Sequence, residues 1–225
     1  VQGEQGQAER KMLIGVTRPV GALVDLGDLE HGSQRLTKSG RVWTGTVRSP
    51  GAAALRIHIT DLALPEGAEL YVYTTAGDAF GPYTGRGPLG SGELWTNAVT
   101  GDTALLQLRG GAEDTYFTIT DVAHIGNRFL YAEMVHNSAT DKELCSYNAS
   151  CVENASCGSD PAVNDAKDAV AHYTFVQRPW VYMCTGGLIA DEAQSGTPYF
   201  LTANHCLSRD KEAGSVETYF FYTAS

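Results

Sequence analysis

The stretch Thr197-Pro-Tyr-Phe-Leu-Thr-Ala-Asn-His-Cys-Leu207 decides the fold of the second part of this chain of 225 residues. Its apolar residues predict a short β-strand that ends at a histidine directly followed by a cysteine. Another cysteine, Cys184, stands 22 positions before Cys206 and opens the Gly-rich segment Cys184-Thr-Gly-Gly-Leu-Ile189. Because an imidazole titrates near neutral pH, His205 is the first candidate in the sequence for proton-transfer chemistry.

Strand patterns surround this motif, at residues 169–176, 182–189, 199–203 and 216–222. No helical pattern separates them. Closely spaced antiparallel strands of this kind predict the first half of a six-stranded β-barrel. The sequence ends before a second barrel could form and contains no Gly-Asp-Ser-Gly turn, so we expect the chain to be part of a longer protein.

The cysteines mark a border in the chain. All five lie between Cys145 and Cys206, and the first 144 residues contain none. In a Gly-rich segment with many loops, this density favours disulfides and an oxidising compartment, with buried free thiols in a cytosolic protein as the alternative. The spacing of Cys145, Cys151 and Cys157 lacks the close CxxC pair of structural zinc sites, so no metal site is predicted.

The region before the cysteines contains short segments that alternate apolar with polar residues and are separated by Gly and Pro turns. The segments are 41–47, 55–60, 69–74, 103–108 and 115–120. This pattern predicts a β-sandwich or jelly roll, with a β-barrel as the alternative. The predicted fold class is therefore all-β throughout the chain.

Two features of this region are candidates for a binding site. His58 alternates with Ile57 and Ile59 and has no carboxylate or second histidine at ligand spacing, so we expect a structural histidine that faces solvent. Several aromatic residues could stack on a sugar, although packing in the core is their commoner role. These residues are Trp43, Trp95, Tyr71, Tyr73 and Tyr83.

The predicted organisation is an N-terminal arm (1–19), a β-sandwich domain (20–127), a linker (128–144) and a second domain (145–225). The small polar residues from Asn137 to Lys142 predict an exposed connection that a protease can cut. Asn148 and Asn154 each begin an Asn-Ala-Ser sequon, which we interpret as chance occurrence in a Ser-rich loop rather than as glycosylation.

Composition excludes several classes of protein. A net charge of -10 argues against a nucleic-acid surface. Hydrophobic residues at 43% and charged residues at 19% exclude a disordered chain, and no apolar run approaches the length of a membrane span. The first residues carry no signal segment, so we expect any targeting peptide to have been removed or left out. Neither a phosphate-binding Gly loop nor an HExxH motif occurs, and no cofactor is predicted.

The segments Cys184-Thr-Gly-Gly-Leu-Ile189 and Phe200-Leu-Thr-Ala-Asn-His-Cys206 resemble two motifs of chymotrypsin-like serine proteases. Within that group, the chain is most similar to bacterial lysyl endopeptidases. Those enzymes also begin with two cysteines six positions apart, as Cys145 and Cys151 are, and space the histidine-loop pair by 22.

The resemblance implies that 145–225 is the N-terminal, truncated part of a trypsin-like domain, the first half of a chymotrypsin-like double β-barrel. It implies that His205 is the general base and that Cys184 pairs with Cys206. It also implies that Cys145 and Cys151 bridge to positions further along the chain, whereas Cys157 has no counterpart in the pattern.

The implied function is that of a secreted serine endopeptidase precursor with a His-Asp-Ser triad, acting on protein or peptide substrates. The Asp and Ser are expected downstream, in the remainder of the protease domain, since Asp210 follows His205 too closely to be the orienting acid. The fragment alone should be inactive. The N-terminal domain is expected to assist folding or to block the active site, and cleavage in the linker is expected to release activity.

Two other functions remain open. One is a binding protein with a protease-like domain that has lost catalysis, which a missing serine in the continuing sequence would favour. The other is a carbohydrate-binding module at residues 20–125, which binding of glycans by that region would favour.

Overall fold

The structure is a computed structural model that describes residues 11–28, 30–38, 40–126 and 160–221. Its described residues form two compact units. The N-terminal unit contains residues 15–28, 30–38, 40–126 and 178–181, and the C-terminal unit contains residues 11–14, 160–177 and 182–221. Strands dominate both units, which confirms the all-β fold class.

Ten strands supply the N-terminal unit with two antiparallel sheets. The strands are β1 (Met12–Asp25), β2 (Ser33–Thr37), β3 (Gly40–Arg48), β4 (Ala54–Thr60), β5 (Glu69–Tyr73), β6 (Ala79–Tyr83), β7 (Leu94–Trp95), β8 (Val99–Thr100), β9 (Thr103–Arg109) and β10 (Tyr116–Ile125). In one sheet β10 lies between β1 and β4, and both β7 and β8 pair with β4. The other sheet has the order β2-β3-β9-β5-β6.

One hydrophobic core lies between these two sheets. Leu55, Ile57 and Ile59 of β4 are fully buried and belong to the same cluster as Leu70 of β5. The residues named on β4 alternate along the strand, so this face points into the core, as the sequence pattern predicts. The unit is therefore the expected β-sandwich rather than the alternative barrel.

β1 was not predicted, and it crosses the expected border between residues 19 and 20. The strand begins at Met12 and has a register shift between Pro19 and Ala22. Gly15 lies against the backbone of His124, where a side chain would collide with the carbonyl group. Glycine and proline obscured the strand in the sequence, because both residues are depleted in strands.

The C-terminal unit contains α1 (Pro161–Lys167), β11 (Val170–Gln177), most of β12 (Trp180–Ile189), β13 (Tyr199–Thr202), α2 (Asp210–Ala213) and β14 (Glu217–Phe220). These strands pair in the order β14-β11-β12-β13. The expectation that no helix would intervene among these strands was wrong, because α2 lies between β13 and β14.

Several predictions fall outside the described residues. They concern the linker at 128–144 with its cleavage site, the sequons at Asn148 and Asn154, and Cys145, Cys151 and Cys157. Within the parts of the chain that are described, neither helix has the length and apolar character needed to cross a membrane.

Candidate functional site

His205 lies in a tight turn directly after β13. The turn is closed by two backbone hydrogen bonds to the carbonyl oxygen of Ala203, one from the amide of Cys206 at 2.9 Å and one from that of Leu207 at 3.3 Å. His205 is exposed, whereas Cys206 is only 4% exposed. The turn thus buries its cysteine and leaves the neighbouring imidazole accessible.

A disulfide joins Cys206 to Cys184 of β12, with 6.3 Å between the two Cα atoms. It is the bond that the family resemblance implied, and it anchors the histidine turn to the adjacent strand. A ring nitrogen of His205 and the two sulfur atoms lie within 4.8 Å of one another. This group is not a metal site, because sulfurs in a disulfide are not the thiolates that bind zinc.

The pairing of β12 with β13 explains the first of the two glycines of the Cys-Thr-Gly-Gly motif. Gly186 pairs with Thr202, and the ring of Phe200 lies over Gly186. A Cβ at Gly186 would come within 2.5 Å of that ring and within 2.7 Å of the carbonyl oxygen of Leu201. The next glycine, Gly187, is less crowded, since its nearest neighbour would be 3.4 Å away.

Aromatic side chains support the histidine turn from below. Tyr173, Phe175 and Cys206 are the buried members of this cluster. Partly buried residues pack around them, namely Tyr182, Cys184, Phe200, Leu207 and Val216. The disulfide therefore lies in an apolar layer, which stabilises the position of the turn.

A short chain of hydrogen bonds crosses this layer. The hydroxyl groups of Tyr173 and Thr202 are 2.7 Å apart, and that of Thr202 donates to the carbonyl oxygen of Thr185 at 2.9 Å. Because Thr202 uses its proton on Thr185, Tyr173 is the donor to Thr202. Burial raises the pKa of the Tyr173 phenol, so the hydroxyl keeps the proton that it donates. This pair was not predicted, because the two residues are 29 positions apart in sequence.

In the parts of the chain that the structure describes, His205 has no hydrogen bond to a carboxylate. Asp191 accepts hydrogen bonds from the Ser195 hydroxyl at 2.6 Å and the Ser195 amide at 2.8 Å. These bonds lower the pKa of Asp191 and hold its carboxylate within the loop between β12 and β13. Asp210 begins α2. The orienting acid expected further along the chain stays a prediction.

The expectation that His58 faces solvent was wrong. The residue is 1% exposed, and its ring lies 2.8 Å from a Glu93 oxygen and 3.2 Å from an Asp121 oxygen. Trp95 stacks on the same ring at a centroid distance of 4.6 Å. No short spacing in the sequence could reveal the two carboxylates, because they lie 35 and 63 positions away.

The aromatic residues considered for sugar binding divide between the core and the surface. Trp43 and Tyr83 are buried in the sandwich, which confirms core packing for these two. Tyr71 lies under Arg109, with the guanidinium carbon 4.8 Å from the ring centroid. Tyr73 borders an open groove of about 820 Å³ whose other walls are mainly Gly, Thr and Leu residues. The five rings therefore do not form one platform, and carbohydrate binding stays a prediction.

A known family matches the part of the chain that contains the histidine turn and its disulfide. Residues 139–225 match the family described as the lysyl endopeptidase C-terminal domain. The match covers less than half of the chain, and it contains Cys184, His205 and Cys206. No solved structure gives a significant match. This part of the chain is therefore related to lysyl endopeptidases.

Proposed function

We propose that the chain is part of a secreted serine endopeptidase precursor and that His205 is its general base. One observation carries this proposal. Within the range that matches the lysyl endopeptidase family, an exposed imidazole stands on a turn that a buried cysteine and a disulfide hold in place.

The chemistry requires such a support. A serine hydroxyl is a poor nucleophile at neutral pH, so an imidazole must accept its proton and later donate it to the leaving amine. Proton transfer needs heavy atoms within hydrogen-bond distance, and an error of about 1 Å in the position of the base is costly. The disulfide and the aromatic layer fix the backbone of His205, and the exposed ring stays open to a hydroxyl. In this proposal the serine and the orienting aspartate come from sequence after residue 225.

The proposed substrates are proteins or peptides with lysine or arginine before the scissile bond; the description of the related family names lysine. The proposed role of the N-terminal unit is to assist folding of the protease domain or to cover its active site. Cleavage between residues 137 and 143 would then release activity.

The test is peptide hydrolysis by the full-length gene product. We expect cleavage of peptide amides after lysine or arginine, and His205→Ala should lower kcat/KM by about ten-thousandfold or more. His31→Ala is the matched control, because His31 is an exposed histidine of the N-terminal unit. Wild-type turnover by His205→Ala would refute the role of the imidazole. Absence of both hydrolysis and labelling by a fluorophosphonate in the wild type would favour the inactive, protease-like binding protein.

A further inference from the structure

A turn from the second half of the chain belongs to the N-terminal unit. Residues 178–181 connect β11 to β12 and include the first two residues of β12; they group with the sandwich rather than with their neighbours in sequence. The carbonyl oxygen of Pro179 accepts a hydrogen bond of 2.8 Å from the amide of Thr17 in β1. Nη2 of Arg178 lies 2.5 Å from Oδ2 of Asp121 and also contacts Nδ1 of His58. The turn is therefore held by its backbone and by one cationic side chain.

The groups that receive Arg178 are built into the sheet. His58 of β4 and Asp121 of β10 are direct partners across the two strands, and they are 1% and 8% exposed. Trp95 of β7 stacks on the imidazole, and Glu93 lies beside Nε2. The other nearby cation on β4, Arg56, is buried and directs Nε to the carbonyl oxygen of Thr96 at 2.9 Å.

The contact with Arg178 defines the tautomer of His58. A guanidinium has only N–H donors, so Nδ1 of His58 must accept when Arg178 contacts it. The single ring proton is then on Nε2, where it is donated to Glu93 at 2.8 Å. Burial lowers the pKa of His58, and the charge of Arg178 acts in the same direction, against the opposing effects of Glu93 and Asp121. The imidazole is therefore neutral at neutral pH.

We propose that Asp121 and Nδ1 of His58 form an arginine-binding site, that Arg178 occupies it, and that a proton on Nδ1 expels the guanidinium. Protonation removes the lone pair that Arg178 uses and places a second positive charge beside it. The new N–H group points at Oδ2 of Asp121, 3.2 Å away, and competes with Arg178 for that carboxylate. Protonation of His58 thus removes Nδ1 as an acceptor for Arg178 and gives the other acceptor, Asp121, a competing donor.

Under the proposed function, on which this step rests, the arginine site has a regulatory role. Arg178 lies in the range related to lysyl endopeptidases, whereas His58 and Asp121 lie outside that range. The site would hold a segment of the protease part on the N-terminal unit at neutral pH and release it in acid.

Hydrogen exchange at the Thr17 amide tests the site in the 225-residue chain. A histidine with a lowered pKa favours the folded contact above its unfolded pKa of about 6.5, and this contribution is lost as the pH falls below that value. After correction for intrinsic exchange, we expect wild-type protection at Thr17 to fall by up to about tenfold between about pH 7.5 and about pH 5.5. Amides between β3 and β9, such as those around the pair Gly45 and Leu106, report whether the sandwich itself stays folded.

Two of the variants that decide the outcome replace the exposed arginines Arg178 and Arg48, which lie outside the core. Arg178→Ala should lower protection at Thr17 to the acidic value at both pH values. Arg48→Ala is the matched control and should behave as the wild type, since Arg48 makes only a 3.5 Å ion pair with Asp102 at the surface. His58→Asn should abolish the change in protection at Thr17 between the two pH values. Full protection in Arg178→Ala, or protection in the wild type that does not change with pH, would overturn the proposal.

The exchange experiment needs no peptidase activity. A negative result would therefore refute the arginine site without affecting the proposed peptidase function. Conversely, failure of the hydrolysis assay would remove the regulatory meaning of the site and leave its binding of Arg178 intact.

Discussion

At Gly186 the absence of a side chain is what allows Phe200 to pack beneath the histidine turn. A Cβ would lie within 2.5 Å of the Phe200 ring and 2.7 Å of a backbone oxygen, and the backbone cannot yield as a flexible side chain could. The two glycines of this motif therefore have different roles, although they are adjacent in sequence.

Gly186→Ala should destabilise the C-terminal unit by about 1–3 kcal/mol through overpacking. Gly187→Ala is the control, because its Cβ would make an ordinary contact at 3.4 Å. The measurement is exchange of the backbone amides between β12 and β13 in increasing urea, which reports on this unit alone. Equal effects of the two substitutions would contradict the packing argument.

Residues were predictable where their partners lie close in sequence or belong to a known motif. Cys184 and Cys206 are 22 positions apart, and the family resemblance identified them together with His205. His58 was misjudged because its environment comes from Glu93 and Asp121, which only the sandwich topology brings near. Strand alternation indicates the face on which a residue lies, but it does not indicate what covers that face.

At the scale of elements, strands with regular alternation were predicted closely. The segments predicted at 55–60 and 103–108 are observed as Ala54–Thr60 and Thr103–Arg109. Helices were missed because both are short. Pro161–Lys167 has no buried residue, so it lacks the apolar stripe that identifies a helix. Its start is nevertheless encoded, since Asp160 and Pro161 are residues typical of the N-cap and the first helical position.

The first turn of α1 should depend on Asp160. Its carboxylate accepts a hydrogen bond of 2.9 Å from the amide of Ala162. Asp160→Ala should cost about 1 kcal/mol locally and speed exchange at Ala162, because the amide loses its acceptor. Asp160→Asn keeps an oxygen at the same position and is the control. Fast exchange at Ala162 in both the wild type and the Asn variant would show that the cap has no effect.

At the scale of the whole molecule, each unit contains a short segment that is distant in sequence from the rest of that unit. Residues 11–14 belong to the C-terminal unit, as residues 178–181 belong to the N-terminal unit. Nζ of Lys11 lies 2.9 Å from Oε1 of Gln177 and above the rings of Phe175 and Tyr182, 5.2 and 5.4 Å from their centroids. Such cation–π contacts stabilise a lysine that packs on aromatic faces.

A cut between residues 137 and 143 would therefore give two fragments, neither of which contains a whole unit. The N-terminal fragment would carry Lys11, which packs in the C-terminal unit, and the other would carry Arg178. All five cysteines lie after the cut, at 145 and beyond, so no disulfide can join the fragments. Any association after cleavage must then be non-covalent.

A protease site introduced between residues 137 and 143 allows the chain to be cut there. We expect the two fragments to elute together in size-exclusion chromatography at about pH 7.5. They should separate at about pH 5.5, because His58 gains its proton. Arg178→Ala should separate at both pH values, because it lacks the contact that protonation of His58 breaks in the wild type. Lys38→Ala with Arg48→Ala removes two exposed cations and should elute as the wild type does. Separation of the wild-type fragments at the higher pH would show that residues 11–14 and 178–181 do not hold the two fragments together.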